Sequence, residues 1–256
     1  MKYVLRFLLF TFLFFIYLSP VSAGETKVAA ASSLTFALDE IIVRFEERTG
    51  HRVRVSYSSS GILSRQIEQG APYELFLSAD QLYTDYLAKH GMTRDRGVVY
   101  TLGQLALFEP GERNLILSED LSALDKALTE NAIQHFSIPN PELAPYGRIA
   151  REALIHSGLW SSLQPFLIMG QNASQTARFL ATGIVDGALL PHSLAIILEK
   201  KGLGHYQLVS HRLYQQLQQR MVLMKNAGEV ANVFYEYLLQ PDAQKIFEKY
   251  GFGSVR

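Results

Sequence analysis

The sequence predicts an α/β fold with mostly parallel sheets. Two observations carry this. Short β-rich runs alternate with stretches of helical periodicity along the chain, and glycines stand where most of the helical patterns stop. A third observation sets the scale: hydrophobic residues make up 48% of the chain, enough for one large core or two smaller ones.

The elements follow in order. Lys27-Val28-Ala29-Ala30-Ala31 reads as a first strand. Leu34, Leu38, Ile41, Ile42 and Phe45 then recur at helical spacing within 34–48, and Gly50 ends that helix. Residues 52–57 alternate as a strand, 62–69 form a helix closed by Gly70, 74–78 are a buried strand, and 81–90 are a helix closed by Gly91. The second half repeats the style. Strands are expected at 105–108, 133–139, 186–190, 206–210 and 221–224. Helices are expected at 148–157, ended by Gly158, and 174–182, ended by Gly183, with a helical tail over 230–250 broken near Pro241.

The N-terminus reads as a targeting segment. Lys2 and Arg6 precede an apolar run from Phe7 to Leu18, Pro20 breaks it, and Val21-Ser22-Ala23 offers a small-x-small cleavage pattern. The run is shorter than the roughly 20 residues a membrane span needs. Residues 1–23 are therefore expected to be a cleaved signal peptide, with an uncleaved N-terminal anchor as the alternative. Two of the 24 basic residues lie in it, so 22 face 24 acidic ones in the mature chain. That balance supplies no basic field for nucleic acid. The absence of cysteine excludes disulfides, thiolate metal sites, cysteine catalysis and a lipidated N-terminal cysteine.

Ligands of open α/β sheets bind beyond the carboxyl ends of strands, which directs attention to the strand-to-helix turns. Three are rich in hydroxyls or small residues: Ala30-Ala31-Ser32-Ser33-Leu34, Tyr57-Ser58-Ser59-Ser60-Gly61 and Gln171-Asn172-Ala173-Ser174-Gln175. A fourth, Asn140 to Gly147, uses proline and glycine instead. A helix N-terminus carries unpaired N–H groups and a partial charge of roughly +0.5, so several together suit an anion without lysine or arginine. Any one of these serines could equally be an ordinary helix cap.

The chain resembles the periplasmic molybdate-binding proteins of ABC importers. The resemblance rests on Val28 to Leu34, Ser58-Ser59-Ser60-Gly61-Ile62-Leu63, Arg65 to Pro72, Leu75 to Gln81, Asn140-Pro141 through Ala144-Pro145-Tyr146-Gly147, and the closing segment from Gln240 to Phe252. It covers essentially all of the mature chain. It implies a type II periplasmic-binding fold, two α/β lobes around a central cleft. Lobe one would hold 24–102 plus 221–256 and lobe two 103–220, with hinge crossings near Thr101–Gln104 and Gln218–Met221. It further implies a monomeric, cofactor-free periplasmic carrier that delivers molybdate, and tungstate as well, to a membrane permease. By position, Ser33 matches a ligand through its hydroxyl and backbone N–H, with Ser32 beside it, and Ser60 matches a second hydroxyl ligand. Tyr146 and Ala173 match backbone N–H donors. One departure stands out. Some relatives place a ligating Tyr after the strand that here reads Gly187-Ala188-Leu189-Leu190, whereas this chain has Pro191 and then His192. The phenolic ligand is absent, as in the branch whose preceding helix carries Asn-x-Ser-Gln, here Asn172-Ala173-Ser174-Gln175.

Rival readings are a carrier for another tetrahedral oxyanion such as sulfate, a secreted hydrolase, or an adhesion or signalling module. The hydrolase lacks support: there is no Gly-x-Ser-x-Gly elbow, and the seven histidines show no metal-ligand spacing. Asp80 could be a general base, but reads first as a helix cap.

Overall fold

The structure, a computed structural model, describes residues 23–112 and 115–255. The expected signal segment lies outside the described residues except for Ala23. The first lobe opens with β1 (Glu25–Ala31), a single 3-10 turn over Ser32–Leu34, α1 (Thr35–Thr49), β2 (Arg52–Ser58), α2 (Ser60–Glu68), β3 (Leu75–Ser78), α3 (Gln81–Lys89) and β4 (Val98–Gly103). The second lobe holds β5 (Leu105–Pro110), α4 (Ser122–Thr129), β6 (Phe136–Pro139), α5 (Pro145–His156), the short α6 (Trp160–Leu163) and β7 (Leu167–Gly170). It continues through α7 (Ala173–Ala181), β8 (Gly187–Pro191), α8 (His192–Lys200) and β9 (Gly204–Leu208). The chain then rejoins the first lobe as β10 (Leu217–Leu223), α9 (Glu229–Leu238) and α10 (Pro241–Lys249).

Each lobe is built on a five-stranded sheet. The order is β2-β1-β3-β10-β4 in the first and β7-β6-β8-β5-β9 in the second. The sheets are mixed and not mostly parallel as the alternation predicted. β1 runs parallel to β2 and β3, while β10 is antiparallel to β3 and β4. β6 is parallel to β7 and β8, while β5 is antiparallel to β8 and β9. The reversed strands are the ones next to the crossovers, where the chain must change lobes. Only Gln104 separates β4 from β5, so the first crossing is short; the return falls at 209–216, earlier than the expected 218–221.

Both faces of each sheet are covered. Val28 to Ala31 are buried along the whole end of β1, the signature of an interior strand with helices on both sides. The two faces of the first sheet feed separate apolar clusters, one containing Val28, Leu77 and Phe45, the other Ala29, Phe76, Leu63 and Val222. α1 forms as its spacing predicts, burying Ala37, Leu38, Ile41, Ile42 and Phe45, and Gly50 closes it with φ 72°. The tail divides at Pro241, which becomes the first residue of α10 because proline lacks the N–H an interior position needs. β4, β7, α4 and α8 were not anticipated. β7 is four residues long with a half-exposed face, and α8 has no side-chain cap to mark its start.

The C-terminal helices hold the first lobe together. Phe45 is fully buried and meets Phe234 edge-on at 4.8 Å and Tyr237 at 5.3 Å between centroids. Phe45→Ala is expected to cost about 3–5 kcal/mol. Equilibrium urea unfolding should show this as a lower midpoint with little change in slope.

Candidate anion-binding site

The lobes meet around a narrow pocket. Its lining comes from the carboxyl ends of strands in both sheets. Ala31, Ser32 and Ser33 follow β1, Ser58, Ser59 and Ser60 follow β2, and Ala79 follows β3. From the other lobe come Ala144, Pro145 and Tyr146 at the start of α5, and Ala173 at the start of α7. The five residues expected from the sequence, Ser32, Ser33, Ser60, Tyr146 and Ala173, are thus brought to one place. Each is at most 4% exposed.

Helix starts converge on this pocket. The first-turn amides of α2, α5 and α7 have no carbonyl behind them in their own helix, and neither do those of the 3-10 turn leading into α1. Asn172 caps α7 by accepting from the Gln175 N–H at 3.0 Å, and Ser59 caps α2 by accepting from Ile62 at 3.4 Å. Both caps take the third amide of the turn; in α2 the Gly61 amide goes to the Leu143 carbonyl and that of Ser60 is left, and in α7 those of Ala173 and Ser174 are left. α5 is started differently. Pro145 occupies its first turn with no side-chain cap, and the backbone of Gly147 lies so close to β6 that a Cβ there would stand 2.1 Å from the Pro139 carbonyl oxygen. Glycine lets α5 press its N-terminus against the strand end.

The side chains are also set as donors. Ser60 Oγ accepts from the Ala79 N–H at 3.0 Å, which leaves its own proton to give. Ser33 Oγ is buried and has no protein partner, a costly state unless an acceptor arrives. The nearby acceptors are already engaged. The Ser32 carbonyl accepts from the Thr35 hydroxyl at 2.9 Å and the Ser174 hydroxyl at 3.2 Å, and the Ser33 carbonyl from Ser193 at 2.7 Å. None of the lining residues carries a formal charge. The pocket therefore offers N–H and O–H groups and helix-terminal dipoles, an environment that stabilises a compact dehydrated anion.

The lobes meet directly around it. The Gly61 N–H donates to the Leu143 carbonyl at 3.0 Å. Arg148 donates to Asp80 at 2.7 Å. Asp80 is the helix cap its position suggested, accepting from Leu82 at 3.0 Å with its other oxygen. Tyr146 lines the pocket, and its buried side chain reaches β10, where its hydroxyl accepts from Gln219 at 3.1 Å. Burial pushes the Tyr146 phenol well above its usual range, so it stays a neutral hydrogen-bonding group.

Sequence reasoning missed the Ala79 amide, Ser58 and Ser59 as lining, and the contacts of Ser174 and Ser193. Ser59 was legible as a cap within Ser58-Ser59-Ser60-Gly61; Ala79 carries no side-chain signal at all. Pro191 and His192 are not among the pocket residues. His192 sits at the crossover, with Nδ1 3.0 Å from both the Gly251 carbonyl and Gln104 Oε1, and Nε2 3.0 Å from the Tyr206 hydroxyl. A carbonyl facing Nδ1 makes that nitrogen the donor and Nε2 the acceptor.

The sequence pattern of the family described as bacterial extracellular solute-binding protein matches residues 26–253. The chain belongs to this family. Among its relatives, the molybdate-binding protein ModA of Rhodobacter capsulatus is 33% identical over 238 residues, 91% of this chain and 90% of the relative. The molybdate-binding protein ModA of Azotobacter vinelandii is 32% identical over 236 residues, 90% of each chain. The solved periplasmic molybdate-binding protein of Azotobacter vinelandii superposes with a TM-score of 0.81 at 28% identity, covering 90% of this chain and all of that one. The sulfate-binding protein SubI from Mycobacterium tuberculosis shares the fold, with a TM-score of 0.74 at 16% identity over 91% of this chain and 87% of that one.

Burial lowers the His192 pKa from its ordinary value, partly opposed by the Gly251 carbonyl. A folded-state pKa below the unfolded one, about 6.5, means the contribution is complete above that value and is lost as pH falls through the folded pKa. Wild-type melting temperature is expected to drop between about pH 7 and pH 5 more steeply than that of His192→Gln, as differential scanning calorimetry would show.

Proposed function

We propose that this protein captures molybdate, and tungstate with it, in the periplasm and hands it to the permease of an ABC importer. The observation that carries this reading is a buried pocket of uncharged donors, supplied by both lobes, with its neighbouring acceptors already taken. Relatives named as molybdate-binding proteins, matching nearly the whole chain, support the choice of guest. Residues 1–23 act as a cleaved signal peptide that exports a monomeric carrier.

The proposed ligands are the Ser33 hydroxyl and amide, the Ser60 hydroxyl, and the Tyr146 and Ala173 amides, with Ser32 adjacent. Binding needs no cofactor. The lobes open and close about the crossovers at Gln104 and 209–216, and an anion touching both lobes favours the closed form by its differential affinity. The closed form is the one presented to the transporter. Among the described residues, no helix is long and apolar enough to cross a membrane, consistent with the permease supplying that step.

The donor-only lining sets the selectivity. Molybdate, tungstate and sulfate are fully deprotonated at neutral pH and accept at every oxygen. Protonated phosphate brings an O–H that would face a donor, at a cost of roughly 1–3 kcal/mol. Pocket size then decides between sulfate and the larger oxyanions. Calorimetric titration of the mature chain with molybdate, tungstate, sulfate and phosphate tests the proposal. Tight binding of molybdate and tungstate with weak phosphate binding is expected; phosphate binding as tightly as molybdate would overturn it.

Two variants probe the geometry. Ser60→Ala removes a donor and strands the buried Ala79 amide, so molybdate affinity should fall by roughly 1–3 kcal/mol. Gly61→Ala would place a Cβ 2.6 Å from the Leu143 carbonyl oxygen, blocking closure. Affinity should fall about tenfold or more, while the ligand-free melting temperature holds or rises because alanine favours the helix by up to about 1 kcal/mol.

A further inference from the structure

We infer that Ser193 and Ser174 are positioning residues: hydroxyls of the second lobe that fix Ser33 of the first lobe when the cleft shuts. The inference rests on the oxyanion-carrier reading and deepens it. Neither serine is part of the pocket lining. Ser193, in the first turn of α8, is 4% exposed and donates to the Ser33 carbonyl at 2.7 Å. Ser174, in the first turn of α7, donates to the Ser32 carbonyl at 3.2 Å.

These two carbonyls belong to the peptide units on either side of Ser33. The Ser32 carbonyl and the Ser33 N–H share one planar trans unit and point in opposite directions, so holding the carbonyl aims the amide. The Ser33 carbonyl belongs to the next unit. Pinning both fixes the backbone that carries the one buried, partnerless hydroxyl of the pocket lining, Ser33 Oγ. The backbone here needs such help. The 3-10 turn over Ser32–Leu34 is three residues long and has no side-chain cap. On its own lobe the Ser32 carbonyl has the Thr35 hydroxyl and amide, while the hydroxyl that reaches the Ser33 carbonyl comes from the opposite lobe.

Hydrogen bonding to a carbonyl also polarises the attached N–H and strengthens it as a donor. Closure therefore does more than enclose the anion. It prepares the residue that receives it. The segment after β8 acts on the site through Ser193.

Wild type, Ser193→Ala, Ser174→Ala and Ser174→Thr should be titrated with molybdate, and their ligand-free melting temperatures measured. Ser174 is half-buried, and threonine keeps its hydroxyl. Each alanine variant is expected to bind roughly three- to tenfold more weakly, with a faster dissociation rate and an unchanged ligand-free melting temperature, because the contacts exist only across the shut cleft. Ser174→Thr should restore binding. Alanine variants that bind as wild type does, or whose weakening comes with an equal loss of ligand-free stability, would overturn the inference alone. A wild type that binds none of the oxyanions would overturn the carrier reading as well.

Discussion

Buried hydrogen-bond donors without acceptors organise this molecule. Helix starts from both lobes line one pocket together with Ser33, whose hydroxyl has no protein partner, and Ser60, whose oxygen already accepts from Ala79 and leaves its proton to give. In water such groups would be satisfied; enclosed, they raise the energy of the closed form until an anion enters. The same fact accounts for the lack of charged side chains in the lining. A lysine or arginine would bring its own desolvation cost, whereas helix-terminal amides are already held in place by the backbone.

The rest of the architecture serves to bring those donors together. Parallel strands carry the chain to one edge of each sheet, so that helix after helix begins there. The antiparallel strands β5 and β10 sit beside the crossovers and link the lobes by the single residue Gln104 on one side and a longer return on the other. The crossover is itself a polar packing unit: Tyr146 reaches Gln219, Tyr214 accepts from the Leu105 amide at 3.2 Å, and His192 joins Gly251 and Gln104. Tyr146 belongs to both regions, lining the pocket and setting its phenol against Gln219 of β10. That gives a physical link between what is bound and how the lobes are set.

Closure depends on small residues where backbone meets backbone. Gly61 approaches the Leu143 carbonyl across the cleft, and Gly147 lets α5 lie against the end of β6. Around these contacts the Asp80–Arg148 pair crosses the cleft at 2.7 Å. Its carboxylate is neutralised by the guanidinium, which keeps a negative charge near Ser60 from opposing an anionic guest.

Much of this could be read from residues alone. The 3.6-residue spacing in α1, the stop at Gly50, the break at Pro241 and the serine-rich turns are local signals, and local signals act through the chain's own backbone. They gave the α/β class and the helix starts, and the family resemblance added Ser32, Ser33, Ser60, Tyr146 and Ala173. The mixed strand directions, the place of the return crossing, the Ala79 amide behind Ser60, and the hold of Ser174 and Ser193 on Ser33 were decided only by tertiary structure. Each joins residues distant in sequence, and an amide or carbonyl carries no residue-type signature, so where it points is settled only when the lobes pack.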